Sequence, residues 1–79
     1  MKTYQITYND GFQKKVYIIS AEDEFFALHY AVEANLIIER DGHIHKPSQF
    51  WFSEPKQLKG LSSQTKGIKA TITHEDFRV

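Results

Sequence analysis

Cysteine is absent from this chain, which excludes a disulfide framework, a thiolate zinc site and thiol redox chemistry in one step. Charge of one sign is also missing. Ten basic side chains balance ten acidic ones, so neither indiscriminate nucleic-acid adsorption nor acidic DNA mimicry follows from the overall charge. No apolar run approaches membrane-spanning length, and Met1–Thr7 alternates polar and apolar residues where a signal peptide would be continuously apolar. The expectation is a soluble, cytoplasmic protein with no membrane contact. With 79 residues and no internal repeat, the chain reads as a single domain, 1–79, with one small core.

The balanced total conceals a split. Residues 1–39 carry Lys2, Lys14 and Lys15 against Asp10, Glu22, Asp23, Glu24, Glu33 and Glu39, a net −3. Residues 40–79 carry Arg40, Lys46, Lys56, Lys59, Lys66, Lys69 and Arg78 against Asp41, Glu54, Glu75 and Asp76, a net +3. A dipolar molecule of this kind is oriented on a partner by its charges without being driven onto every surface.

Period-two alternation over Thr3–Tyr8 and Lys14–Ile19, joined by Asn9-Asp10-Gly11, predicts an antiparallel hairpin. Alanines at 21, 27, 31 and 34 predict a helix from Ala21 to about Asn35, with Ser20 as its cap, Asp23 as the acidic partner of a capping box and Asn35 as its terminator. Asp41-Gly42 marks a turn between Leu36–Arg40 and His43–Lys46, a second short hairpin. Past the break at Pro47-Ser48, Gln49–Ser53 reads as a strand with Phe50 and Phe52 on one face and Trp51 on the other. Lys56–Lys66 reads as a mobile basic loop with a helical turn near Pro55–Leu58. Gly67–Thr73 reads as the last strand, and the tail His74–Val79 as a segment that pairs or frays. The fold class is therefore α+β: one helix packed on one face of a small antiparallel sheet, in the order ββα followed by about three strands.

At 100° per residue, Ala21, Phe25, Leu28, Ala31 and Val32 share one arc of the helix, and Phe26, Tyr30, Glu22, Asp23 and Glu33 point largely the other way. Phe25, Leu28 and Val32 are then expected to pack on Ile6, Val16, Ile18, Phe52, Ile68 and Ile72, leaving Tyr17, Ile19 and Trp51 to project from the uncovered sheet face. Phe26 and Tyr30 admit two readings. They either anchor a partner beside the acids or complete the core beneath the 56–66 loop.

Constellations for chemistry are thin. His43 and His45 alternate onto one strand face and could present two imidazoles to an ion, but no ligand pair of diagnostic spacing accompanies them, and the expectation is no metal. Glu22, Asp23, Glu24 and Glu33 are the carboxylates available for acid–base catalysis, but consecutive acids at a helix start are explained by capping and the helix dipole. Ser62, Ser63 and His74 lack the context of a catalytic triad, and neither Asp10-Gly11 nor Lys66-Gly67 belongs to a phosphate-binding loop. No cofactor and no enzymatic activity are expected. For nucleic acid, the candidates are Lys56, Lys59, Lys66 and Lys69 beside Tyr17 and Trp51 as stacking platforms.

In size and in its strand, strand, helix, strands layout, the motif-free chain resembles the small accessory proteins of bacteriophages and mobile elements of the anti-CRISPR and anti-defence type. That resemblance implies a non-enzymatic inhibitor or adaptor acting in the host cytoplasm by covering a surface of a larger nuclease or surveillance complex. The surface expected to do so is the acidic helix, through Glu22, Asp23, Phe26, Tyr30 and Glu33. A small nucleic-acid-binding regulator and a homodimeric structural protein, paired through edge strands or open sheet faces, are the alternatives.

Overall fold

The computed structural model describes residues 1–39, 41–62 and 64–74. It is an α+β fold in which β1 (Lys2–Asn9), β2 (Lys14–Ala21), β5 (Lys56–Ser62) and β6 (Gly67–His74) form one antiparallel sheet in the order β5-β1-β2-β6, and α1 (Glu24–Ala34) covers one face. A two-residue hairpin, β3 (Ile37–Ile38) with β4 (Ile44–His45), and a 3-10 turn (Gln49–Trp51) lie between α1 and β5.

The first hairpin follows the alternation. Lys2 pairs with Ala21 and Asn9 with Lys14 without a register shift. Its turn is held by Asp10, whose carboxylate accepts from the Phe12 and Gln13 amides at 2.8 and 2.9 Å, and by Gly11 at a φ of +92°, a value that side chains resist. In an antiparallel pair, residues directly opposite share a face, so Tyr4, Ile6 and Tyr8 stand with Ile19, Tyr17 and Lys15 under the helix. Tyr17 and Ile19 are thus core residues, not projections from the open face. The uncovered face carries Gln5, Thr7, Val16, Ile18 and, opposite Val16, Ile72.

The helix also sits in a different phase from the one expected. Ala27 and Ala31 are the fully buried positions, Leu28 and Tyr30 pack at the margins of the core, and Phe25 is 73% exposed. The reason lies in the sheet, whose inner face already holds Tyr4, Tyr8 and Tyr17. Bulky rings below leave room above only for small side chains if the helix is to approach closely. The helix begins later than expected as well. Ser20 and Ala21 continue β2, opposite Thr3 and Lys2, and both are buried. Asp23 is the true cap, accepting from the Phe26 amide at 3.0 Å. Asn35 ends the helix as expected, its amide donating to Val32 O at 3.0 Å.

Two further expectations are overturned. Gln49–Ser53 is not a strand, because the Ser48 hydroxyl accepts from the Phe50 amide at 3.3 Å and winds the segment into a 3-10 turn, with only Phe52 bridging to Tyr8. Lys56–Lys66 is not a loop, and Pro55–Leu58 is not a helical turn. Residues 56–62 form edge strand β5 on β1, with a register shift between Lys2 and Tyr4. The second hairpin at Asp41-Gly42 forms as expected, closed by Glu39 N to His43 O at 2.7 Å. The last strand forms and extends through His74, while the expected behaviour of 75–79 lies outside the described residues.

Candidate partner-binding surface

The displaced phase of α1 creates the most distinctive surface on the molecule. Ala27 and Ala31 take the core positions, so Phe25, Leu28, His29 and Val32 line a flank of the helix that faces the chain around Pro47. There the 3-10 turn brings Gln49 and Phe52 alongside, closing a groove of about 230 Å³ whose walls also include Lys46 and Pro47. Pro47 is buried and Phe52 half-buried on Tyr8, ring centres 5.0 Å apart, so one wall is anchored in the core. At the rim Phe25 stands edge-on to Phe26 with ring centres 5.7 Å apart, and Phe50 is 97% exposed at the top of its turn. Exposed rings of this size beside a preformed apolar groove are costly to leave in water and favourable to cover.

The five residues expected to form an acidic recognition face are separated by the fold. Asp23 is committed to capping. Tyr30 is half-buried against the core, whereas Phe26 remains 40% exposed. Glu22 accepts from Lys66 at 2.9 Å, and that hydrogen bond and charge together raise the lysine's pKa. Glu33 faces the other way and meets His29 at 3.2 Å, beside the groove. The charge split of the sequence is therefore partly cancelled where Glu22 meets Lys66.

The nucleic-acid constellation does not assemble as expected. Tyr17 lies in the core, where burial pushes its phenol pKa up, and Trp51 is half-buried edge-on to Tyr8 with ring centres 6.1 Å apart. Neither offers a free face of the open sheet. Lys56 lies opposite Gln5 on that face, Lys59 is farther along the same edge strand, and Lys66 and Lys69 belong to the opposite edge. Among the described residues no cluster of three or more histidine and carboxylate side chains could hold a metal. His43 and His45 instead approach Asp41 at 3.5 Å and Glu39 at 3.7 Å. Ser62 and His74 sit on different edge strands, and Ser63 is outside the described residues. No helix among the described residues is long and apolar enough to cross a membrane.

No protein-family model, curated protein or solved structure matches the chain. The groove residues Phe25 and Pro47, and Phe50 beside Gln49 in the chain, were not among the sequence candidates for binding. The usable signal was Pro47-Ser48, a turn initiator immediately before an aromatic run.

Proposed function

We propose that the protein is a non-enzymatic binder, an inhibitor or adaptor that acts by covering a surface of a larger protein. One observation carries this reading. Phe25, 73% exposed, lines an apolar groove with one wall anchored in the core, and Phe50, 97% exposed, follows Gln49 of that lining in the chain. A partner that inserts an aliphatic or aromatic side chain into the groove gains about 1.5–3 kcal/mol from burying it. The two exposed rings supply the kind of aromatic anchors that dominate interface energetics. Glu22, just before α1, and Phe26 are outside the groove lining, so they serve as a secondary, charge-orienting contact.

In its specific form, suggested by size and layout, the covered surface belongs to a host nuclease or surveillance complex and the protein is of the anti-CRISPR or anti-defence type. The test is site-directed photocrosslinking in bacterial cytosol, with a crosslinkable phenylalanine analogue replacing Phe50 and, as control, Lys14 at the turn end of β2. Crosslinking to one protein from position 50 alone, lost in Phe25→Ser without loss of folding, supports the reading. Capture that survives Phe25→Ser but fails in Glu22→Lys would transfer the contact away from the groove. For the specific form, purified guide-loaded nucleases are assayed for cleavage with and without the protein, and unchanged cleavage throughout would remove it.

A further inference from the structure

The two edges of the sheet are not alike. On the outer side of β1, edge strand β5 follows Pro55, carries Lys56 and Lys59, shifts register against its neighbour, and contains Gly60 at a φ of +80°. Those are the devices that blunt an edge against further pairing. At the other end of the sheet, β6 runs eight residues without proline, and among the described residues no strand pairs with its outer side. Its irregularities are confined to its start, where Gly67 has a φ of +108° and the register shifts at Lys69, after which Ala70–His74 pairs with β2 in unbroken register. An unprotected stretch of backbone donors and acceptors is a template for another strand.

We propose that β6 pairs with β6 of a second copy of this chain, antiparallel about a two-fold axis, joining two four-stranded sheets into one of eight strands. Two features favour a second copy over a foreign strand. The whole chain is uncharged on balance, so two copies meet without net repulsion. Finally, pairing edge to edge aligns the uncovered faces, making the half-buried Val16 and Ile18 and the 52% exposed Ile72 of each copy a continuous apolar strip across the joint. This surface is separate from the groove beside α1, so each stands or falls alone.

The experiment is analytical ultracentrifugation of the full chain over a wide concentration range, with circular dichroism as the check on folding. A reversible species of twice the monomer mass is expected. Ile72→Lys places like charges across the two-fold and should weaken association about a hundred-fold, as should Ile72→Glu, while an equimolar mixture of the two variants restores the dimer. A native chain that stays monomeric throughout would overturn the proposal, and so would a dimer unaffected by either Ile72 variant. Association abolished by Phe25→Ser but retained by both Ile72 variants would assign the contact to the groove and overturn it equally.

Discussion

Lys15 Nζ donates to Asn35 Oδ1 at 3.2 Å, tying the second strand to the residue that ends the helix. Asn35 is buried, and its Nδ2 donates to Ala31 O at 2.7 Å, so one side chain closes the last turn and accepts a cation from the sheet. A positive charge there also complements the negative end of the helix dipole.

Replacing Asn35 with alanine leaves Ala31 O without its side-chain donor and Lys15 without its acceptor. The expected cost is about 1–3 kcal/mol, the range for orphaning buried polar groups. Lys15→Met should cost less, because Asn35 keeps its bond to Ala31. Urea denaturation measures both as changes in midpoint, and equal costs would show that the interaction with Lys15 carries the whole effect.

Capping separates sequence expectation from structure at two neighbouring residues. Asp23→Ala removes the acceptor for the Phe26 amide and should cost about 0.5–2 kcal/mol. Ser20→Ala should be neutral or mildly stabilising, since the Ser20 hydroxyl is buried in β2 without a hydrogen-bond partner. Thermal melts of the two variants give opposite answers if Ser20 were the cap.

The phase of α1 is tested by size. Ala31→Leu forces a larger side chain into the contact with the tyrosine-rich sheet face and should destabilise by about 1–3 kcal/mol. Phe25→Ser, on the exposed flank, should change stability by less than about 0.5 kcal/mol. The reverse order would restore the helix orientation expected from periodicity.

That orientation shows where sequence patterning fails in this fold. Alternation over Thr3–Tyr8, Lys14–Ile19 and Gly67–Thr73 is strong enough to find three of the four long strands, because half-covered strands segregate their side chains every second residue. The helix is found by its alanines, but its rotation is not. Weighting by bulk turns Phe25 inward, whereas the rings of Tyr4, Tyr8 and Tyr17 beneath demand Ala27 and Ala31. β5 is hidden for a related reason. Lys56, Gln57, Lys59 and Gly60 have little strand preference of their own, and the available edge of β1 overrides it. The groove depends on the helix rotation and on the 3-10 turn in place of a strand at Gln49–Trp51, which is why its residues were absent from the sequence candidates.

Tyr8 and Asp10 give the fold a pH dependence at both extremes. The Tyr8 hydroxyl donates to Asp10 Oδ2 at 3.0 Å, and burial first, then this bond and the carboxylate charge, push its pKa up to about 12 from 10.0. The unfolded chain releases the proton near pH 10 while the folded one holds it. Stability is therefore intact below pH 10 and is lost progressively as pH rises to about 12, by on the order of 2–3 kcal/mol in all. For Asp10 the sign reverses. Partial burial opposes ionisation, but the amides of Gln13 and Phe12 and the Tyr8 hydroxyl outweigh it and lower the pKa below 3.8. Its contribution is present above that value and disappears as pH falls through the folded pKa. Ultraviolet titration of the phenols should show Tyr8 ionising late, and Asp10→Asn should move it toward the ordinary tyrosine value while flattening the acid side of the stability curve. A Tyr8 phenol that still titrates near 10 in the folded native chain would remove the hydrogen bond from the account of the turn.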